Sequence, residues 1–263
     1  MRDFFVNLFS RACGPEITLF SIWHIMYIVL ICGLTIGGVF LFRNKSDKTK
    51  NIVLSVLAYI VIGVYIAEFF IMPLSRGDVD VDKLPFHICT LLSFFVGFAQ
   101  FNKKFECVRE PIAVLAIVSS LMYITYPGSA LGGVTVFSYK VVQTFVYHGL
   151  LFSWGCLSVG LKVTTFKWKN IWKALVGLCL IAVWAAFGNC TYSSADHHYD
   201  WFFITGSTFP FIPSWLMPFV VVTAIFGMVA LIYLINWGVN KIVEKIAAKK
   251  QAKLTHNEEV SKQ

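Results

Sequence analysis

The chain has 263 residues, of which 57% are hydrophobic and 14% are charged, and its formal net charge at pH 7 is +8. A single soluble globule cannot bury so large a share of apolar side chains, so the composition predicts a membrane-embedded protein. A nucleic-acid-binding surface would cluster its basic residues beside exposed polar ones. Here the Lys and Arg residues lie between long apolar runs. The positive charge therefore indicates membrane topology and no nucleic-acid partner.

Residues 1–18 form a short segment with two different faces. On a helix, Phe5 and Phe9 share one side, while Asp3 and Asn7 lie on the other. This pattern is typical of a helix that lies in the membrane interface. A frayed terminus is the alternative.

Residues 19–237 contain the apolar runs that are long enough to cross about 30 Å of hydrocarbon. Six runs are clear, and a seventh is short but begins at Pro111 and ends before Pro127 and Gly128, which are good helix boundaries. We therefore predict an all-α membrane bundle of about seven transmembrane helices. The predicted spans are residues 19–42, 51–72, 84–101, 111–126, 136–160, 170–191 and 215–237.

Basic residues are distributed unequally between the two sets of loops that alternate sides. The richer set contains Arg43, Lys45, Lys48, Lys50, Lys103, Lys104, Arg109, Lys162, Lys167, Lys169 and the lysines from Lys241 onward. The poorer set contains Arg2, Arg11, Arg76 and Lys83. The sets separate only if the short seventh segment crosses, and basic loops stay cytoplasmic. The pattern predicts an outer N-terminus, and residues 238–263 as a basic cytoplasmic tail that rests on anionic lipid.

The connection from Tyr192 to Ser214 is long for a membrane loop and is rich in Phe, Ile and Pro. We expect it to fold back over the outer face as a lid. Trp201, within it, is expected at the outer interface as a membrane anchor. His197 and His198 are metal-ligand residue types, but adjacent histidines without regular spacing are more typical of a solvated loop, so we predict no metal site.

Polar side chains within the predicted spans gather near the outer face. They are His24, Glu68, His87, Cys89, Lys140, Gln143 and His148. Ionisable groups in hydrocarbon are costly unless they are paired or hydrated. Their similar depth on several helices therefore predicts a shared polar cavity that opens outward.

Two local patterns refine this cavity. Lys140, Gln143 and His148 recur at helical spacing with Thr144 and Tyr147, so this stripe on the fifth span cannot face lipid. His87 and Cys89 are two residues apart and point in different directions on a helix that Pro85 is expected to begin. A base for Cys89 must therefore come from another helix.

Each of these residues also has a structural interpretation. Cys89 is a small side chain that can serve as packing material. His24 and His148 can bridge helices through hydrogen bonds, the usual role of an intramembrane histidine. For Glu68 and Lys140, a structural ion pair is the favoured role.

Two segments carry a family resemblance: LPFHIC at residues 84–89 and QTFVYHG at residues 143–149. Together with His24 and the seven-span layout, they resemble the bacterial YwaF family of integral membrane proteins. That family is similar to the animal transmembrane protein 164, a cysteine-dependent acyltransferase of ether phospholipids, and more distantly to the androgen-induced membrane hydrolases. The resemblance implies a nucleophile at Cys89, a partner histidine at His148 and a multi-pass location in a bacterial plasma membrane.

The predicted function is cysteine-dependent acyl transfer or hydrolysis on phospholipid esters near the outer leaflet, with phospholipid or lysolipid as substrate. His148 would act as general acid and base, and His24 or Gln143 would stabilise the oxyanion. Such chemistry needs no metal or cofactor, and the chain has no Gly-rich phosphate loop. A proton-coupled carrier and a non-catalytic lipid-binding protein are the alternatives.

Overall fold

The computed structural model describes residues 15–76, 81–128, 135–194, 198–203 and 212–260. Within these ranges the regular structure is helical, and one isolated bridge joins Glu16 to Thr135. The predicted all-α class is therefore confirmed. Of the predicted interfacial segment 1–18, residues 1–14 lie outside the described part of the chain.

The described ranges contain seven α-helices, which we number in chain order. They are α1 Ile22–Phe42, α2 Asp47–Arg76, α3 Ile88–Phe101, α4 Arg109–Thr125, α5 Tyr139–Gly160, α6 Ile171–Tyr192 and α7 Met217–Val260. Helices α1, α2, α4, α6 and α7 supply the 5 segments that are long and apolar enough to cross a membrane. Helix α3 is apolar but has only 14 residues. That all seven helices cross, and in which direction, stays a prediction.

Local capping explains where α1 and α5 begin. Ser21 precedes α1, and its hydroxyl accepts a hydrogen bond from the His24 N–H at 3.4 Å. Ser138 precedes α5, and its hydroxyl accepts from the Val141 N–H at 3.4 Å. A hydroxyl at this position satisfies one of the backbone N–H groups that the first helical turn leaves free.

Helix α3 begins at Ile88 after an extended His87, so the expected start at Pro85 is wrong. Residues 84–87 form a turn instead, which contacts with α6 hold in place. The Trp184 Nε1–H donates to the Pro85 carbonyl at 2.9 Å, and the Trp184 ring stacks on the buried Phe86 ring. Cys89 is therefore the second residue of α3, and its N–H is among the free N-terminal ones.

Helix α4 lies at the centre of the bundle and packs against α3, α5, α6 and α7. In its most apolar stretch 72% of the residues are buried by protein, against 6% in α1, which packs mainly along α5. The segment with the shortest predicted span is therefore the one that the other helices surround.

Glycines on α5 allow its neighbours to approach closely. A Cβ at Gly155 would lie 2.8 Å from the Ala113 carbonyl oxygen on α4. A Cβ at Gly149 would lie 2.9 Å from a side-chain carbon of Ile31 on α1. Small residues at such contacts are the usual means of bringing membrane helices together.

Because consecutive helices alternate in direction, the bundle has two distinct ends. The Cys89 end holds the starts of α1, α3, α5 and α7 and the last turns of α2, α4 and α6. The Glu110 end holds the starts of α4 and α6 and the turns that precede them. Helix α7 passes the Glu110 end and continues to Val260, so the predicted basic tail is helical as far as that residue.

Glu110, at the start of α4, is the centre of a buried polar cluster. Its Oε1 accepts hydrogen bonds from the Lys167 N–H at 2.7 Å and the Tyr233 hydroxyl at 3.0 Å. Its Oε2 accepts from the Asn170 side-chain amide at 2.6 Å. One carboxylate thus joins α4, α7 and the turn before α6.

Candidate functional site

The Cys89 thiol lies in the first turn of α3, facing α4. Cys89 is only 7% exposed, and Ser119 of α4 lies near its thiol. Ser119 itself is 3% exposed. The free N–H groups of the first turn place hydrogen-bond donors beside the sulfur, whereas the Ser119 hydroxyl donates to the Ala116 carbonyl at 3.4 Å.

The carbonyl of Cys89 connects α3 to α5. The Tyr147 hydroxyl donates to the Cys89 carbonyl at 2.9 Å, and the Ser93 hydroxyl, one turn along α3, lies 3.1 Å from the same oxygen. Tyr147 and Ser93 also hydrogen-bond to each other. Tyr147 therefore fixes the position of α5 against the first turn of α3.

His148, the next residue of α5, is buried and has a defined tautomer. Its Nδ1 lies 2.8 Å from the Thr144 carbonyl oxygen, which can only accept, so Nδ1 carries the proton. In the neutral ring Nε2 then holds a lone pair, and no described residue hydrogen-bonds to it. The Tyr123 ring of α4 stacks on the imidazole at 3.9 Å between ring centroids, with 2° between the planes.

The buried part of the α5 stripe agrees with the sequence pattern. Thr144, Tyr147 and His148 are buried, while Lys140 and Gln143 are half-buried. The Gln143 side chain makes no hydrogen bond to any residue that the structure describes. Tyr147 reaches Cys89, and His148 follows it directly, so α5 brings the imidazole to the end of the bundle that holds the thiol.

His24 uses both ring nitrogens to join α1 to α4. Nδ1 accepts from the Phe20 N–H at 2.9 Å, so Nε2 is the nitrogen that carries the proton, and it donates to the Ile124 carbonyl at 2.8 Å. The side chain is completely buried. This arrangement is the helix-bridging one, and it leaves no ring nitrogen of His24 for a substrate.

His87 lies at the edge of the site, between the turn before α3 and the long connection after α6. Its side chain does not cap α3. Its ring lies 6.1 Å from the Phe203 ring.

Glu68 is buried near the end of α2 and accepts from two groups. Lys83 Nζ lies 3.3 Å from its Oε2, and the Tyr139 hydroxyl donates to its Oε1 at 3.1 Å. The expected partner was Lys140. Lys83 takes this place because the Tyr65 hydroxyl of α2 holds the Lys83 carbonyl at 2.7 Å, which fixes that turn beside α2.

The described part of the long connection packs against the turn before α3. Asn189 donates through Nδ2 to the Trp201 carbonyl at 3.1 Å and accepts from the Trp201 N–H at 2.8 Å. The Trp201 ring lies 4.8 Å from the Phe86 ring and has no exposed surface. The interpretation of Trp201 as a membrane anchor is therefore wrong, because Asn189 draws it inward. Movement of the connection as a lid stays a prediction, and Asp196 and His197 lie outside the described residues.

The comparison with known families now adds to this geometry. The TMEM164 family model matches residues 19–236, which contain the candidate site and most of the bundle. The chain belongs to the TMEM164 family. It is a membrane protein with several apolar helices. No curated protein and no solved structure matches the chain.

Several groups at this site of the TMEM164-family chain escaped the sequence analysis. Ser119 lies beside the Cys89 thiol, Ser93 bonds to the Cys89 carbonyl, Tyr123 stacks on His148 and Lys83 pairs with Glu68. The two serines could have been noticed in the sequence, because a hydroxyl side chain within an apolar helix needs a hydrogen-bond partner. Nothing in the sequence indicates which helix supplies that partner.

Proposed function

We propose that this chain is a cysteine-dependent acyltransferase or hydrolase that acts on phospholipid acyl esters near the outer leaflet of a bacterial plasma membrane. The observation that carries the proposal is the tautomer of His148. Its Nδ1–H is held by the Thr144 carbonyl and its Nε2 lone pair is open, as a general base requires. The proposal includes seven crossings with the N-terminus outside, and the likeness to the YwaF proteins and the androgen-induced hydrolases supports it.

The first half of the reaction forms an acyl-thioester. The Cys89 thiol gives its proton to His148 Nε2 while Sγ bonds to the carbonyl carbon of the ester. The tetrahedral adduct collapses as the bond from this carbon to the glycerol oxygen breaks. The departing oxygen takes the proton from His148, which releases a lysolipid and leaves the acyl group on Cys89.

The second half transfers the acyl group to an acceptor. A lysolipid hydroxyl, or water, gives its proton to His148 Nε2 and attacks the thioester carbon. The carbon–sulfur bond breaks, and Sγ recovers the proton from His148. With a lysolipid the result is acyl transfer, and with water it is hydrolysis.

The oxyanion of both adducts needs hydrogen-bond donors that are already in place. The free N–H groups in the first turn of α3 supply donors next to the sulfur. Gln143 adds a half-buried amide on α5 that has no partner among the described residues. Burial of the thiol favours proton transfer in the same step as attack, because a free thiolate in apolar surroundings is costly.

The test is phospholipid acyl turnover by the purified full chain in proteoliposomes. We expect Cys89→Ala to abolish turnover and His148→Gln to reduce it at least 100-fold, the usual share of a general acid and base. Cys156→Ala is the matched control, because Cys156 is a half-buried thiol on α5, and it should retain wild-type turnover. Turnover that survives Cys89→Ala would overturn the proposal.

A lipid-binding protein without chemistry is the second candidate, and the burial of Cys89 favours it, since the residue is only 7% exposed. It predicts stoichiometric lipid retention by wild type and Cys89→Ala alike, without acyl turnover by either. A proton flux that requires substrate and survives Cys89→Ala would instead indicate a carrier.

A further inference from the structure

Lys83 is held rigidly at the Cys89 end. It closes the short turn Val81–Lys83, five residues before α3 begins. The Tyr65 hydroxyl fixes its carbonyl, and Glu68 fixes its ammonium. Both of these residues belong to α2, so Lys83 is tied to this helix at two points, its backbone carbonyl and its ammonium.

Only one of the two side chains in the ion pair between Lys83 and Glu68 is buried. The Glu68 side chain is 4% exposed, whereas that of Lys83 is 33% exposed. An ammonium has three N–H donors, and Glu68 occupies one of them. Here a cation with spare donors remains accessible.

The turn that carries Lys83 is linked by contacts to the candidate reaction centre. The Tyr65 ring, whose hydroxyl holds the Lys83 carbonyl, lies 6.4 Å from the Tyr147 ring. The Tyr147 hydroxyl in turn bonds to the Cys89 carbonyl. Lys83 is therefore connected through Tyr65 and Tyr147 to the turn of α3 that carries Cys89.

A phosphate is the ligand that fits an accessible ammonium at this depth. Lysine binds phosphate as a point charge, and a charge-assisted hydrogen bond is about twice as strong as a neutral one. In a glycerophospholipid the phosphate and the acyl esters are attached to the same glycerol. A contact at Lys83 would thus hold an ester near Cys89. Lys140, half-buried in the first turn of α5, adds positive charge at the same end.

We propose that Lys83 binds the phosphate of a glycerophospholipid and thereby selects phospholipids over neutral acylglycerols. This inference rests on the proposed function, because Lys83 would orient the ester toward Cys89. It makes Lys83 a binding and specificity-determining residue and Glu68 the residue that positions it.

The experiment measures lipid binding in the Cys89→Ala background, so that turnover plays no part. The full chain in neutral detergent is titrated with phosphatidylglycerol, with diacylglycerol and with inorganic phosphate, and bound lipid is counted by native mass spectrometry. We expect Lys83→Gln to weaken phosphatidylglycerol binding about tenfold and to leave diacylglycerol binding unchanged. Lys83→Arg should retain phosphatidylglycerol binding.

Two further variants separate charge recognition from misfolding. Lys83→Gln alone leaves Glu68 buried without its cation, so the double variant with Glu68→Gln removes both charges together. We expect the double variant to keep the wild-type melting temperature and diacylglycerol binding, and to lose phosphatidylglycerol binding like the single one. Lys169→Gln, an exposed lysine at the Glu110 end, is the matched control and should change nothing.

The proposal is overturned if the double variant binds phosphatidylglycerol as wild type does, or if it loses diacylglycerol equally. It is also overturned if millimolar inorganic phosphate displaces the phospholipid completely, which would indicate a site for free phosphate. Because binding is measured in variants that lack Cys89, the binding result stands even if the acyl-transfer hypothesis is refuted. Phospholipid binding that ignores Lys83 refutes the inference alone.

Discussion

The Glu110 end and the Cys89 end of the bundle both bury polar side chains. The two ends differ in how many of the hydrogen-bonding atoms of these side chains have a partner. At the Glu110 end, both carboxylate oxygens are occupied by donors from α7 and from the turn before α6. At the Cys89 end, His148 has one ring nitrogen bonded and the other open. His24, at the same end, has both ring nitrogens bonded to backbone groups.

This difference separates framework from reactive groups. A ring nitrogen that has no protein partner can accept a proton from a thiol or a substrate, whereas one that is bonded to the backbone cannot. Both carboxylate oxygens of Glu110 and both ring nitrogens of His24 have hydrogen-bond partners, and each residue joins helices that are distant in sequence. His148 has one ring nitrogen, Nε2, without a hydrogen-bond partner among the described residues, and it lies at the end that holds the Cys89 thiol. Substitution should therefore affect stability at the first two residues and reactivity at the third.

The largest stability effect is expected from Glu110→Ala, because three donors lose one shared acceptor. We expect it to lower the free energy of unfolding by about 3 kcal/mol. Reversible unfolding in mixed detergent micelles measures this. Glu244→Ala is the control, since Glu244 forms an exposed ion pair with Lys241 and should matter by less than about 0.5 kcal/mol. Equal effects of the two substitutions would contradict the framework role.

His24→Ala tests whether a histidine at the Cys89 end can belong to the framework. Loss of its bridge between the Phe20 N–H and the Ile124 carbonyl should cost about 2 kcal/mol of unfolding free energy. Turnover per folded molecule should stay at the wild-type level. A stable His24→Ala variant without turnover would instead place His24 in the reaction.

Asn189→Ala tests how the connection after α6 is held over the turn before α3. Both hydrogen bonds to the Trp201 backbone disappear, at a cost of about 1.5 kcal/mol. We expect Cys89 to react faster with a membrane-permeant alkylating reagent, as followed by peptide mass spectrometry. Thr191→Val, which removes an exposed hydroxyl bonded only within α6, is the control. An unchanged alkylation rate would show that this connection does not restrict access.

Tyr233→Phe should give the smallest effect, about 1 kcal/mol of unfolding free energy, because Glu110 keeps two of its three donors. The same unfolding assay measures it. A loss as large as that of Glu110→Ala would mean that the Tyr233 hydroxyl alone carries the cluster.

The helices were predictable because their signals are local. Each predicted span coincides with one α-helix, and Ser21 and Ser138 begin α1 and α5 as capping residues do. The start of α3 was not predictable in this way. A side chain of α6, Trp184, holds the Pro85 carbonyl, and such a contact leaves no trace in the local sequence.

The partners within the site depend on which helices are neighbours and how each is rotated. The predicted span within α4 was the shortest of the seven, and α4 is the helix whose apolar stretch protein buries to the largest extent. The position of Ser119 beside Cys89 follows from that central packing. Likewise, Glu68 pairs with Lys83 because the Tyr65 hydroxyl holds the turn, whereas the sequence favoured Lys140 as the partner.

The most direct test of the reaction is the intact mass of the protein after brief exposure to phospholipid. We expect wild type to gain the mass of one acyl chain, mapped to Cys89 and removed by neutral hydroxylamine as a thioester is. Cys89→Ala should gain nothing, and His148→Gln should gain the adduct at least 100-fold more slowly. Acyl turnover with no adduct on Cys89, or an adduct that forms equally fast in His148→Gln, would contradict the assignment of the two residues.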